Sequence, residues 1–338
     1  MADALLSPAV GGGMWALSAG AIAAASARLR RKGDDRLPPL MGVLGGFLFA
    51  AQMINFSIPG TGSSGHLAGG LLLAVLLGPS AAFLAVASVL VVQAFFFADG
   101  GLLALGCNIF NMGLVPAFVV YPFVYRKLVG EVSGGRREAL ATMLSALLAV
   151  ELGAFCVVLE TAASGVSQLP VEKFLLLMLP IHLAIGLVEG MVTLAVVSFV
   201  RKARPELFAA AASPARRGAL RPVLLGVCAC ALLVAGGLSH FASRNPDGLE
   251  WSVAKASAGA AATRQGVPSA FEALQARIAW FPEYALPGKN GAVGAADSGR
   301  AASGTGLSGV IGTLITLLAV AAAAFLLRKG RKGTAPEP

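Results

Sequence analysis

Few residues in this chain offer a start for chemistry. It holds three histidines in 338 residues, and one of them, His66, follows the loop Pro59-Gly60-Thr61-Gly62-Ser63-Ser64-Gly65. A long apolar run begins directly after it. Gly62, Ser63, Ser64 and Gly65 carry little bulk, so backbone can come close to a small ligand there. An imidazole in such a place suits nickel, cobalt, copper or zinc. A single imidazole holds these ions weakly, so further ligands would have to come from elsewhere. No carboxylate-rich cage suits magnesium or calcium, and no thiolate cluster suits zinc. The plainer alternative is a histidine that anchors the start of a helix at a membrane interface.

Other reactive side chains sit inside apolar stretches, where ionisable groups are costly and mark a site or a paired structural contact. His182 and Glu189 are seven residues apart, so a helix puts them on one face. A structural hydrogen bond to a neighbouring helix is their simplest role. Glu151 and Glu160 would lie about 180° apart on a helical wheel, and Glu160 is expected near the outer surface. Asn108, Asn111 and Gln93 read as interhelical bonds or as a break in a helix. Asn55, Gln93, Asn108, His182 and Glu189 are thus the candidates for supporting a site at His66 or for holding helices together. Cys107, Cys156, Cys228 and Cys230 lie in apolar segments and behave as small hydrophobes. On a helix Cys228 and Cys230 would point about 200° apart, which argues against a metal or redox pair.

The elements that must position these residues are membrane helices. The chain is 57% hydrophobic and 13% charged, with a mean hydropathy of +0.78, whereas soluble chains carry about 25% charged residues. Apolar stretches run at 10–27, 38–57, 81–98, 101–125, 139–163, 174–200, 222–239 and 307–327. Most reach the roughly 17 to 25 residues that cross a bilayer. A shorter one at 66–78 reads as a helix starting below the surface or as a re-entrant piece. Met1–Val10 has no basic region and does not read as a cleavable signal peptide. The expectation is an all-α polytopic membrane protein with about nine hydrophobic segments.

The net charge of +9 reports orientation. Basic clusters fall at Arg28–Arg36, Arg126–Arg137, Arg201–Arg221 and Arg328–Lys332, while 55–65, 98–100 and 164–172 carry almost no Lys or Arg. With the N-terminus outside and nine crossings, every cluster lands in the cytoplasm, as the positive-inside rule asks. The C-terminus is then cytoplasmic and His66 faces out. The charge implies contact with anionic membrane lipid and no nucleic-acid partner.

The organisation has two parts. Residues 1–203 are dense membrane helices, 204–221 an Ala-, Arg- and Pro-rich cytoplasmic linker, and 222–338 two apolar segments around an outer loop at 240–306. That loop holds six basic and five acidic residues. Its second half, 287–306, reads as a flexible glycine-serine-alanine tether. The tail looks like a small membrane protein fused to a larger one.

The stretches "LMGVLGGFLFAAQMINFSIPGTGSSGHLAGGLLLAVLLGP" (40–79), "QAFFFADGGLLALGCNIFNMG" (93–113) and "HLAIGLVEGMVT" (182–193) resemble the CbiM/NikM family. Its members are the substrate-specific membrane components of energy-coupling factor transporters for cobalt and nickel. The likeness covers residues 2 to 203. The tail is similar to the NikN-like, CbiN-related accessory component, through "FASRNPDGLEW" (241–251) and "AWFPEYALPG" (279–288). The resemblance implies that His66 gives a metal-binding nitrogen. The chain's own N-terminus would give the terminal amine plus the backbone and imidazole nitrogens of a second-position histidine. Four nitrogens in a plane suit nickel or cobalt.

This chain departs from that pattern, because "MADALLSPAV" opens where the family has Met-His-Ile or Met-His-Val before Ala-Asp-Ala. Met1 stands at the branched residue, and taken literally the site keeps only the Met1 amine beside His66. The expectation is a start assigned two residues late; a true truncation is the alternative. The resemblance further implies a membrane coupling subunit of the CbiQ/NikQ type, cytoplasmic ATPases of the CbiO/NikO type and a multi-pass place in a bacterial or archaeal inner membrane. Co2+ or Ni2+ would be cargo, with no permanent cofactor. The chain has no G-x-x-x-x-G-K-[ST] phosphate loop, so it reads as a transporter subunit and not an enzyme. Two other classes stay open: an ion-coupled secondary transporter or channel using His182, Glu189 and Glu151 as a proton relay, and a metal sensor that does not transport. Secondary transporters show internal repeats, and none is evident here.

Overall fold

A computed structural model describes residues 1–34, 36–130, 135–167, 169–203, 221–257, 267–285 and 298–329. The linker expected at 204–221 lies outside them except for its last residue, and so does 287–297 of the expected tether. A short turn, Asp3–Leu5, leads into α1 (Pro8–Lys32). Ser7 caps α1 by accepting from Val10 N at 3.3 Å, Pro8 opens it, and Gly33 ends it with φ 62°. Those are the standard start and stop chemistries of a helix.

After α2 (Leu37–Gln52) the chain leaves helical structure for an antiparallel hairpin, β1 (Phe56–Ile58) and β2 (Ser63–Gly65). The helical fold that the sequence implies is interrupted there by a short two-stranded element. The cause is local: Pro59-Gly60-Thr61-Gly62 makes a tight turn, with Gly60 at φ 78° and Gly62 at φ 77°, which only glycine adopts cheaply. Next come α3 (Gly70–Leu77) and α4 (Pro79–Phe97), separated at Gly78, and then α5 (Leu105–Val129). From Phe110 to Tyr125, α5 is wound more widely, with i→i+5 bonds, and holds Pro116 and Pro122. The long helices α6 (Gly135–Ser164) and α7 (Val171–Ala203) complete the first part. The tail adds α8 (Arg221–Gly236), α9 (Gly248–Ala256), α10 (Val267–Ile278) and α11 (Ser298–Lys329). Residues 298–306, expected in a tether, are the first turns of α11.

Among the described residues, seven helices are long and apolar enough to cross a membrane, α8 being counted with the helical turn that carries its apolar run to Phe241; the sequence suggested nine segments. Two segments fall short for a shared reason. Helix α2 spans 16 residues because the chain turns into the hairpin soon after Gln52. Helix α3 has eight residues, since the residues between His66 and Gly70 are held non-helical. At about 12 Å it covers less than half of a hydrocarbon core of about 30 Å.

The two parts share one core. Gly42 and Gly46 lie four apart on α2, and Cβ atoms there would stand 2.9 Å from Ala321 Cβ and 3.1 Å from Thr313 O of α11. Such small-residue faces let membrane helices pack backbone to backbone. Ala231 and Ala235 of α8 bury against Ala50 of α2. At the ends rich in basic residues, Arg201 of α7 pairs with the buried Glu138 of α6 at 2.5 Å.

Candidate metal centre

The His66 hairpin is built around its turn. Thr61 Oγ1 donates to Ile58 O at 2.8 Å and accepts from Ser63 N at 3.1 Å. Cα partners run Phe56 to Gly65, Ser57 to Ser64 and Ile58 to Ser63. Ser63 and Ser64 are fully buried, whereas His66 is half-buried. The imidazole places Nδ1 3.3 Å from Leu67 O. A carbonyl can only accept, so this contact favours the tautomer with its hydrogen on Nδ1, which leaves the Nε2 lone pair for a ligand.

The residues after His66 are pinned from two sides. Glu189, 2% exposed on α7, accepts from Ala68 N through Oε2 and from Gly69 N through Oε1, each at 2.7 Å. From the other side, Gln52 Nε2 donates to Ala68 O at 3.1 Å, and Gln93 Nε2 donates to Gln52 Oε1 at 2.9 Å. His182 faces the same region, and its Nδ1 bonds Met178 O one turn back at 2.7 Å. Its electrostatic neighbours include His66 and Asp247. His182 and Glu189 share a face as their spacing predicts; Glu189 bonds the N-cap of α3 at Gly69, whereas His182 bonds only its own helix. Among the described residues no hydrogen bond links His182, Glu189 and Glu151 into a relay.

The tail seats itself on this hairpin. Ser64 N donates to Pro246 O at 2.8 Å, Ser64 Oγ donates to Asn245 O at 2.8 Å, and Ser64 bridges Asp247 in parallel. Ser243 N donates to Asn55 O at 2.7 Å, and Ser57 Oγ donates to Ser243 Oγ at 2.9 Å. Asn55 thus contributes its backbone carbonyl. Most residues of Pro-Asp-Gly-Leu-Glu then have a visible task. Pro246 offers its carbonyl, and Asp247 caps α9 by accepting from Glu250 N at 2.7 Å. Leu249 packs in a cluster with Met1 and Met178. Gly248 lies against α7, where a Cβ would stand 2.6 Å from Ile181 Cγ2 and 3.3 Å from Ile185 Cδ1. From the other side, a Cβ on Gly65 would stand 2.5 Å from Ile185 Cγ1. Ile185 is wedged between two glycines, one from each part of the chain.

The N-terminal segment lies along the loop before α5. The Met1 amine donates to Asn108 Oδ1 at 3.0 Å, and Gly101 N donates to Met1 O at 3.1 Å. Asp3 accepts from Ala104 N at 2.9 Å. Burial pushes the Asp3 carboxyl above its ordinary range, and the bond to Ala104 partly offsets that. Gly101 is required here, because a Cβ would fall onto the Asp3 carboxylate. Beneath Met1, Asn111 Nδ2 donates to Glu160 Oε2 at 2.9 Å. Glu160 is 7% exposed, and its tie to Asn111 on α5 turns it toward the protein interior. Asn111 makes the interhelical bond its type suggests, and the wide winding of α5 begins one residue before it.

The predicted residues thus form two groups. His66, His182 and Glu189 gather at the hairpin with Asp247, and Met1, Asn108, Asn111 and Glu160 gather at the N-terminus. No hydrogen bond joins the two ligand-bearing segments among the described residues, where no three His, Cys, Asp or Glu side chains converge at metal-holding distance either. Sequence reasoning missed Gln52, for which a glutamine closing a membrane helix was a usable sign. It marked Ser64 as a slim loop residue and Gly248 through the Pro-Asp-Gly-Leu-Glu stretch, but not the contacts that either one makes.

A second tail segment grips the end of α4. Trp280 N and Phe281 N both donate to Phe96 O at 3.0 Å, and Gln275 Nε2 donates to Ala94 O at 2.8 Å and Gly100 O at 2.7 Å. The bonds to Ala94 and Phe96 satisfy carbonyls that a helix end leaves unpaired. Tyr284 stacks on Phe97 at 4.9 Å and donates its hydroxyl to Asp99 at 2.6 Å. Burial, and then the Asp99 carboxylate, hold the Tyr284 phenol well above its usual value.

A histidine hairpin and an N-terminal segment, both braced by buried polar contacts at the head of an apolar helix bundle, define a multi-pass membrane protein with a candidate metal-binding end. Residues 1–207 match the family described as the cobalt uptake substrate-specific transmembrane region, CbiM, and residues 221–329 match the PDGLE domain. The chain belongs to the CbiM family and carries a PDGLE domain behind it. It is 32% identical over 315 residues to a putative fused nickel transport protein NikMN of Archaeoglobus fulgidus, with 93% of this chain and 94% of that one covered. It is 32% identical to the fused nickel transport protein NikMN of Rhodobacter capsulatus, covering 73% of this chain and 77% of that one. A crystal structure described as a truncated transition metal transporter superposes with a TM-score of 0.53 at 27% identity, covering 60% of this chain and 98% of that one.

Proposed function

We propose that this chain is the substrate-binding component of an energy-coupling factor importer for nickel or cobalt. The observation that carries the reading is the convergence at the Pro-Asp-Gly-Leu-Glu motif. Its backbone seats on the His66 hairpin, while its Leu249 packs against the same buried cluster, around Phe174 and Met178, that Met1 packs against. The metal is captured at the outer face by His66 Nε2 together with nitrogens of the N-terminal segment. A CbiQ/NikQ-type coupling subunit and CbiO/NikO-type ATPases then drive release inside. The first part works as the metal-binding domain, and the tail, with its outer loop, loads or gates the site. The N-terminus lies outside and the basic helix ends face the cytoplasm, in an inner membrane. A proton-relay transporter finds less support, because Glu189 is already engaged with two backbone amides and His182 with its own helix.

Calorimetry with nickel and cobalt chlorides tests the reading on two full-length forms: the chain beginning at Met1, and one with Met-His-Val in place of Met1. The extended form is expected to bind and its His66→Ala variant to lose binding. Tight binding that survives His66→Ala overturns the site. Metal uptake that persists without the partner ATPase overturns the coupling-factor mechanism, and binding without net accumulation points to a sensor.

A further inference from the structure

The Leu67–Ala68 peptide group has both ends engaged. Its N–H donates to Glu189 Oε2 at 2.7 Å, and its C=O faces His66 Nδ1 at 3.3 Å. The first distance is that of a charge-assisted bond. The next peptide group is held too, with Gly69 N–H on Glu189 Oε1 and Ala68 C=O on Gln52. We propose that Glu189 is a positioning residue that acts on His66 through the Leu67–Ala68 peptide group. Metal-binding histidines usually give their second ring nitrogen to a carboxylate or carbonyl, which fixes the tautomer and the ring orientation. Here the carboxylate reaches the imidazole through one intervening amide. Hydrogen bonds in such a chain polarise one another, so a negative charge on the N–H side strengthens the carbonyl as acceptor for Nδ1–H. The Nε2 lone pair is thereby presented in one direction before any ion arrives. The inference rests on the reading of His66 as a ligand, but its first test does not.

That test is the tautomer of His66 in the metal-free, full-length protein. Long-range 1H–15N spectra of histidine-labelled protein contain three imidazoles, and His66→Gln assigns the one of interest. The expected result is the Nδ1–H form. An Nε2–H form in the unaltered chain overturns the proposal, whatever the variants do. Glu189→Gln replaces one acceptor oxygen by an N–H2 facing an amide N–H. It is expected to mix the His66 tautomers and to weaken nickel binding by about 10- to 100-fold, the usual cost of losing a ligand's outer partner. Unchanged tautomer and affinity in a folded Glu189→Gln protein also overturn it. If His66→Ala binds nickel as tightly as the parent, the metal site fails, and the tautomer still reports on Glu189 separately.

Discussion

The tail grips the first part of the chain at two places that use opposite chemistry. At the His66 hairpin, Ser243–Asp247 sets backbone against backbone, with hydroxyls and Gly248 in close contact. At the end of α4, Gln275–Tyr284 lays aromatic rings on Phe96 and Phe97 and caps open carbonyls. The first grip depends on register and lack of bulk, the second on apolar area. The structural lesson is a division of labour: the aromatic grip supplies holding strength, and the backbone grip sets where the hairpin lies.

Four changes probe that division. Phe97 is fully buried at the centre of the aromatic grip, so Phe97→Ala is expected to cost about 3–5 kcal/mol, read as a lower unfolding midpoint in detergent. An effect confined to the hairpin would break the comparison. Gly248→Val forces methyl groups into Ile181 and Ile185 at a cost of about 1–3 kcal/mol. Its signature is selective release of the backbone grip: a disulfide engineered between Ser57→Cys and Ser243→Cys, in a background without the native cysteines, forms in the parent and is lost in the variant.

Tyr284→Phe removes a bond to a carboxylate, worth about 1.5–3 kcal/mol at most, since the pair is partly exposed. It also carries a pH signature. The folded phenol holds its proton more tightly than the unfolded one, so this group's stabilisation is complete below about pH 10 and falls as pH rises beyond it. Unfolding measured from pH 8 to 11 should steepen in the parent and flatten in Tyr284→Phe. Ser64→Ala is the mildest, at about 0.5–1.5 kcal/mol, because the Ser64 N–H to Pro246 bond persists. A larger loss, read from the same melts, would mean that the hydroxyl and not the backbone sets the register.

Several features were legible in the residue string. Long apolar runs with few charges leave helices as the economical spanning form, since every backbone group must be satisfied within the segment. Gly33, Gly78 and Pro79 punctuate them, and Gly-x-x-x-Gly at 42–46 was readable as a helix contact, although the tail helix it receives was not. His66 stood out because small residues around a single imidazole are uncommon at the mouth of an apolar run. The two-part composition anticipated a fused tail.

What the string could not carry was direction and partnership. Glu160 had no readable partner until α5 and α6 brought Asn111 against it. Glu189 and Ala68 are 121 residues apart, and no local pattern pairs them. The turn of the hairpin was legible in Pro59-Gly60-Thr61-Gly62, but its contact with Pro246 and Asp247 was not, because those residues lie far along the chain. Composition determined that the chain is built of membrane-spanning helices, because that depends on each residue's own transfer from water. Only the tertiary structure decided which buried polar groups meet, because a hydrogen bond across helices depends on two distant residues arriving in register at once.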